Sequence, residues 1–468
     1  MDPGQAPRPR LHLILDHTTK NPDAATTATV WNPEDELHGH VDLSSAEDLR
    51  IDGITIYFEG VSRNWINETN VRIHRVLKAE RKFLSQAHDI LPSNISRKDS
   101  SPGAFVFEAP FHFIISRAIP CTNPDSPEQC LQLPPSLNLG EEFVDQCTGI
   151  RFAQPRIIYF LRATVSFTTR DYQDCKSLET FLPVTIAPYT EELPPTETDD
   201  FPMEFKERES KVLRRSLMGG TLGTMNVSLQ EPPALVYDTS STGSSTTALM
   251  RLEFQPTSTS SNDVPKSLQG LSFTVFSLVR VKTFYSVKSF PRLPSQTLLE
   301  SFSEMRLRDG IIKLETQNVR DASWGYRFSL DSQADASPAS QLGLSVSAKG
   351  ASENGNGQVS MTSEPNGKWI SNWTVPIEVN GRLLPSFCSS LVARFYTLIV
   401  RVKVAGARQE RFDLEVPLQV IHTPPGKADS PTVEPVRERF LEYRRASESS
   451  WFGDDSLESE QDPPQYYP

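Results

Sequence analysis

The stretch VPIEVNGRLLPSFCSSLVARFYTLIVRVKVAGARQERFDLEVPLQVI, residues 375–421, decides the fold class of this chain. In its second half, apolar and polar residues alternate in two runs, which a short turn containing Gly406 separates. Side chains of a β-strand point alternately to opposite faces, so each run places one face in a core and leaves the other mostly in water. The apolar positions are Leu398, Val400, Val402 and Val404, then Phe412, Leu414, Val416, Leu418 and Val420. The pattern predicts a β-hairpin at the edge of a β-sandwich.

Alternation of the same kind predicts further strands along the chain, at residues 11–15, 54–58, 157–167 and 273–281. The phenylalanines of residues 105–113 predict a strand pair that is broken at Pro110. The chain contains 37 prolines, which interrupt helices and mark loops and strand edges, so an all-β class is favoured. One exception is the charged segment MEFKERESKVLRRSL, residues 203–217, which predicts a short helix that ends at Gly219 and Gly220.

Composition excludes several classes of protein. A chain of 468 residues is too long for one ordinary core and fits about two to three domains. Its net charge of −12 argues against nucleic-acid binding, because neutralising phosphates needs a basic surface. The first residues lack the apolar core of a secretory signal, and no apolar run is long enough to span a membrane, so we expect a cytoplasmic protein. The five cysteines show no paired spacing, which predicts reduced thiols.

Three segments of the chain resemble the arrestin family, and especially its α-arrestin branch. They are residues 375–421, the segment WNPEDELHGHVDLSSAEDLRIDGITIYFEGVSRNWI at 31–66, and RIIYFLRATVSF at 156–167. The resemblance implies two arrestin-like, immunoglobulin-like β-sandwich domains, a linker and a disordered C-terminal tail. The expected divisions are a disordered N-terminus at 1–10, an N-terminal sandwich at 11–188, a linker at 189–220, a C-terminal sandwich at 221–424, and a disordered acidic tail at 425–468.

The tail ends in a short motif with a known kind of chemistry. Pro463 and Pro464 favour a polyproline II conformation. In this conformation the proline rings lie across an aromatic groove of the binding domain, while Tyr466 fills the neighbouring pocket. This is the P-P-x-Y pattern that WW domains bind. The resemblance to α-arrestins implies that the partner is a HECT-type ubiquitin ligase with WW domains. Family members often carry more than one such motif, whereas the related segment EPPALVY at residues 231–237 has the wrong spacing and predicts the start of a strand.

Further candidate sites rest on local charge. Ser447 and Ser216 each follow paired arginines and are candidate phosphorylation sites. Lys206 and Lys211 lie in the predicted linker, where we expect them to be exposed and open to ubiquitin attachment. A basic run predicts either a surface for acidic cargo or lipid headgroups, or a solvated strand and loop. Its members are Arg72, Arg75, Lys78, Arg81 and Lys82.

Nothing in the sequence converges on catalysis. No nucleophile elbow, phosphate-binding loop or dinucleotide fingerprint is present, so the chain is not expected to be an enzyme or to need a cofactor. His38 and His40 lie two residues apart on a predicted strand, where both side chains point the same way. No third ligand can be placed from the sequence, and two surface histidines with no metal are the simpler interpretation.

The resemblance implies an adaptor. Its folded part would recognise the cytosolic tail of a membrane transporter or receptor at the plasma membrane or endosomes, with peripheral contact to the bilayer. Its tail would recruit the ligase, which promotes ubiquitination and endocytosis of that cargo. The alternative is a coat or scaffold role without ligase recruitment, as in the arrestin-like subunit of retromer. A third class, a hydrolase built on a sandwich, would need a buried pocket with titrating groups.

Overall fold

A computed structural model provides the structure of this chain. It describes residues 8–16, 30–70, 73–101, 104–119, 132–169, 172–196, 198, 201–215, 220–238, 240–257, 264–320, 322–328, 367–408 and 410–424. The predicted disordered tail at 425–468 and residues 1–7 of the predicted disordered N-terminus lie outside these ranges. The structure is all-β, with two short α-helices among the described residues, which confirms the fold class that the alternation predicts.

The first part of the chain forms two main sheets and a small hairpin. In chain order its strands are β1 (Arg10–Leu15), β2 (Val30–Trp31), β3 (Glu36–Ser45), β4 (Leu49–Asn70), β5 (Ile73–Ile90), β6 (Ser96–Ser101), β7 (Ala104–Ile114), β8 (Leu137–Asn138), β9 (Phe143–Val144), β10 (Arg151–Phe152), β11 (Arg156–Thr169) and β12 (Tyr172–Ile186), with a 3-10 helix at Pro92–Asn94. One sheet has the order β1-β3-β7-β6, and the other has the order β2-β12-β11-β4-β5, with β8 added beside β11. Strands β9 and β10 pair separately.

These two sheets pack face to face around one core, which forms the first sandwich. Every second residue is buried there along β3, along β11 from Ile157 to Phe167, and along β4 from Ile54 to Phe58, as expected for strands with one face in a core. The strands predicted at 11–15, 54–58 and 157–167 are therefore confirmed. Phe58 of one sheet lies 6.1 Å from Phe113 of the other, ring centre to ring centre, so aromatic contacts join the layers.

The second part of the chain forms a second pair of sheets. Its elements are β13 (Arg208–Arg214), β14 (Thr221–Leu229), β15 (Leu235–Tyr237), β16 (Gly243–Pro256), α1 (Val264–Gln269), β17 (Ser272–Ser286), α2 (Gln296–Ser301), β18 (Met305–Lys313), β19 (Gln317–Val319), β20 (Gly325–Phe328), β21 (Gly367–Asn380), β22 (Phe387–Cys388), β23 (Val392–Ala405), β24 (Glu410–Leu418) and β25 (Val420–His422). One sheet has the order β13-β14-β16-β21-β20, and the other has β18-β17-β23-β22, with β19 beside β17 and β24 beside β23. Strands β15 and β25 form a short parallel pair.

The hairpin of residues 375–421 lies in the core of this second sandwich. Strands β23 and β24 pair antiparallel, and the nine apolar side chains that alternate along the hairpin are all buried. The predicted hairpin is therefore confirmed. Strand β23 also pairs with β17, so it lies inside the sheet, and β24 and the short β22 both pair with it. The turn that connects the two strands contains Gly406, whose φ is 90°. Glycine adopts this positive φ without strain.

Two local predictions are wrong. The helix predicted at 203–217 is replaced by strand β13, which pairs along its whole length with β14 and buries Leu213 completely. The hydrogen bonds of that ladder satisfy the backbone and override the helical preference of the charged residues. Strand β7 runs without a break through Pro110, which lies opposite His40 in the register. The segment predicted as a linker at 189–220 thus contributes a strand to the second sandwich.

The cysteines differ in state. Cys147 and Cys175 are free and exposed, whereas Cys388 is buried and disulfide-bonded. The prediction of reduced thiols is therefore wrong for Cys388, because sequence spacing does not show which cysteines meet in the fold. Cys121 and Cys130 lie outside the described residues. In the part of the chain that the structure describes, neither helix has the length and apolar character needed to cross a membrane.

Candidate functional site

Several candidate residues from the sequence lie outside the described ranges. They are the motif residues Pro463, Pro464 and Tyr466, the serines Ser447 and Ser216, and Arg72 of the basic run. The roles assigned to them remain predictions.

The basic run does not form one patch. Four of its members lie on β5, where successive side chains point to opposite faces. Arg75 and Arg81 therefore share one face, and Lys78 and Lys82 share the other. The four cations are therefore close together in the sequence but lie on two different surfaces of the molecule.

Two of these cations have carboxylate partners. Lys78 Nζ lies 2.7 Å from the Asp145 carboxylate, and hydrogen bonds from Lys78 and Thr148 hold the pKa of Asp145 below its ordinary value. Lys82 and Arg162 both contact the side chain of Glu59, which is only 3% exposed. Burial alone would raise the pKa of Glu59, but the two cationic donors outweigh it, so that pKa is lowered. A bound acidic ligand would have to compete with these internal pairs.

Arg81 points toward the second sandwich and helps to form a cavity there. Its guanidinium donates a hydrogen bond to Ser289 Oγ. The cavity measures about 440 Å³ and is lined by residues 79–81 of β5, residues 287–289 after β17, and Leu391. Lys288 in this lining pairs with Glu304, and Glu80 pairs with Arg63, so its charged groups already have partners.

Asn64 on β4 joins the two sandwiches beside this cavity. Its side chain is fully buried, and its amide nitrogen donates to the carbonyls of Ser286 at 2.9 Å and Leu391 at 3.1 Å. Its oxygen accepts from the backbone N–H of Arg156 at 3.3 Å. Leu391, with its neighbour Val392, also packs into the core of the first sandwich. The junction is therefore a packed and hydrogen-bonded interface.

A buried charge cluster ties the segment before β13 to the outer face of the second sandwich. Lys282 Nζ, whose side chain is 4% exposed, lies 3.2 Å from Glu204 and 3.3 Å from Glu415. Glu204 also accepts from the backbone N–H of Gln296 at 2.6 Å. Arg280 pairs with both Glu415 and Asp309. This cluster fixes the approach of β13 to its sheet.

The two candidate ubiquitin acceptors differ in exposure. The Lys206 side chain is half exposed and pairs with Glu209 at 2.7 Å, as expected for a surface lysine. Lys211 is half-buried, and its ammonium group contacts the carbonyl of Arg411 and the ring of Phe412. The expectation that both lysines are exposed therefore fails for Lys211, which is only 32% exposed because β13 lays it against β24.

His422, near the end of the described chain, is buried. Its Nε2 lies 2.7 Å from the carbonyl oxygen of Leu383, which requires that this nitrogen donates, while Nδ1 has no hydrogen-bond partner among the described residues. Burial lowers the pKa of His422 below 6.5; the bond to Leu383 opposes this shift, and the charge of Arg382 adds to it.

This lowered pKa predicts a stability that depends on pH. As the pH falls through 6.5, the unfolded chain takes up a proton at His422 before the folded chain does, so stability is present above that value and is lost below it. We expect the urea concentration at the midpoint of unfolding to decrease when the pH is lowered from about 7.5 to about 5.5. His422→Gln should remove part of that decrease. His38→Gln, at a half-exposed site, is the control. An undiminished fall in His422→Gln would contradict the prediction.

The pairing of β3 with β7 brings together a group that the sequence did not reveal. His40, Asp42 and Glu108 each offer one ligand atom, and these three atoms all lie within 4.8 Å of one another. Asp42 was visible two residues after His40, but Glu108 becomes its neighbour only through the register of two strands that are distant in sequence. The structure thus sets two carboxylates beside His40, and His38 is not part of this group.

Comparison with known proteins gives no family. No protein-family model matches the chain, and no curated protein matches it.

Proposed function

We propose that this chain is an arrestin-like adaptor, which bridges a membrane cargo protein and a ubiquitin ligase. The observation that carries the proposal is the P-P-x-Y motif of Pro463, Pro464 and Tyr466 at the end of an acidic tail. Motifs of this kind bind WW domains through preformed polyproline II geometry. The arrestin resemblance of residues 31–66, 156–167 and 375–421 supports the same proposal, as does an all-β body of two sandwiches.

In this proposal the two parts of the chain have separate tasks. The folded body binds the cytosolic tail of a transporter or receptor at the plasma membrane or endosomes. The C-terminal motif binds a HECT-type ligase that carries WW domains, which raises the local concentration of the ligase at the lysines of the cargo. The chain itself makes no covalent bond.

The motif is tested by two neighbouring tyrosines. Tyr466→Ala is expected to weaken binding of a purified WW domain to the full chain by at least about tenfold, because it removes the side chain that fills the aromatic pocket. Tyr467→Ala is the matched control, since it lies outside the P-P-x-Y spacing and should bind as the wild type does. Fluorescence anisotropy with a labelled WW domain measures both affinities.

The same experiment decides between the proposal and its alternative. Equal binding by Tyr466→Ala and the wild type would remove the ligase-recruiting role. A sorting scaffold without ligase recruitment would then be the better interpretation of the two sandwiches.

A further inference from the structure

The outer face of the sheet β1-β3-β7-β6 gathers histidine and carboxylate side chains. Its strands place His38 and His40 of β3 beside His112 and Glu108 of β7. His38 stacks on His112 at 6.1 Å between ring centres, whereas His40 faces carboxylates. The two histidines that sequence analysis treated alike therefore have different surroundings.

We propose that His40, Asp42 and Glu108 form a zinc-binding site. A histidine nitrogen and two carboxylate oxygens are a donor set that Zn²⁺ accepts, at about 2.0–2.2 Å from the ion, and three protein ligands leave a fourth position for water. In a tetrahedral site with such bonds, neighbouring ligand atoms lie roughly 3.4 Å apart. His40 Nε2 lies 3.9 Å from the nearer Asp42 oxygen, and all three ligand atoms lie within 4.8 Å of one another, so side-chain movements that bring them closer together complete the site.

A second carboxylate orients the histidine for this role. His40 Nδ1 lies 3.3 Å from the carboxylate of Asp16, whose own backbone N–H donates to the carbonyl of His38 at 2.9 Å. The Asp16 carboxylate on this side favours the tautomer with the proton on Nδ1, which leaves Nε2 with a lone pair on the side of Asp42. Metal-binding histidines are commonly held by a carboxylate in this way, which fixes the tautomer and the ring orientation.

Asp42 has unused capacity for a ligand. Its Oδ1 is buried and has no hydrogen-bond partner among the described residues. A buried carboxylate oxygen without a partner loses its hydration and gains nothing in return, so binding a cation there would be favourable. The side chains of His40, Asp42 and Glu108 are 27%, 27% and 31% exposed to solvent, which leaves an open path for the ion.

Lys98 on β6 is the competitor for this site. Its ammonium group contacts the Glu108 carboxylate, and this hydrogen bond contributes most to holding the pKa of Glu108 below its ordinary value. The Lys98 side chain is 61% exposed, so it is able to move into solvent when an ion binds. A cation that binds Glu108 must therefore displace Lys98 from this carboxylate.

Calorimetric titration of the full chain with zinc chloride tests the proposal. We expect one saturable site in the wild type, at least about tenfold weaker binding in His40→Ala, and about tenfold weaker binding in Asp16→Ala. Lys98→Met should bind about twofold to fivefold more tightly, the range that the strength of a surface ion pair allows. His38→Ala, two residues away on the same face, should bind as the wild type does.

Controls separate this site from other zinc binding. The exposed thiols of Cys147 and Cys175 are present in every variant, so the difference between wild type and His40→Ala is the decisive quantity. Calcium, which prefers oxygen ligands alone, should bind more weakly than zinc. Equal zinc binding by His40→Ala and wild type, or an equal loss in His38→Ala, would overturn the proposal. Far-ultraviolet circular dichroism of each variant verifies that the fold is retained.

Discussion

Replacing Lys282 with methionine is expected to lower the free energy of unfolding by about 3 kcal/mol, since it leaves the buried carboxylate of Glu204 without its cation. Lys282 and Glu204 are 4% and 9% exposed, and Glu415 is 22% exposed. Water can therefore do little to replace the ion pairs that Lys282 makes. Of these carboxylates, Glu415 keeps a contact with Arg280. Urea unfolding measured by tryptophan fluorescence gives the change.

A matched variant separates burial from charge. Lys288→Met removes the same charge from a side chain that is 65% exposed and paired with Glu304, so we expect a loss of less than about 1 kcal/mol. The double variant Lys282→Met with Glu204→Leu should lose less than the sum of the single changes, because neither charge is then left alone. A loss below about 1 kcal/mol in Lys282→Met would show that the cluster does not hold the segment before β13.

Replacing Asn64 with alanine is expected to cost about 3 kcal/mol of unfolding free energy, because it removes the buried hydrogen bonds that this side chain makes to two carbonyls and one N–H at the junction. The carbonyls belong to Ser286 and Leu391 of the second sandwich, and the N–H belongs to Arg156 of the first. The change therefore weakens the contact between the sandwiches as well as the stability of each.

Two further variants serve as comparisons for Asn64→Ala. Asn138→Ala removes an exposed bond to Glu142 and should change the unfolding free energy by less than about 0.5 kcal/mol. Asn64→Asp keeps the shape of the side chain but places an acceptor opposite two carbonyl acceptors, so we expect a loss at least as large as that of the alanine variant. Wild-type stability in both Asn64 variants would mean that water replaces the side chain at the junction.

Local alternation in the sequence was enough to predict the strands that form the cores. Val400 and Leu414 are fully buried or nearly so, as their positions in the hairpin predicted, and Ile56 and Leu161 confirm the same reasoning in the first sandwich. This succeeds because the period of a strand is a property of consecutive residues. The charged residues of β13 carried no such signal, so its strand was missed.

The sequence by itself determined the all-β class, the buried faces of the main strands and the tail motif, since each depends on residues close together in the chain. Beyond the hairpin of β23 and β24, only the tertiary structure decided which strands are neighbours. It places Asn64 against Leu391, divides the cations of β5 between two faces, and sets Glu108 beside His40 and Asp42. The physical reason is that strand pairing joins residues through backbone hydrogen bonds and core packing across long stretches of chain, and periodicity does not specify these partners.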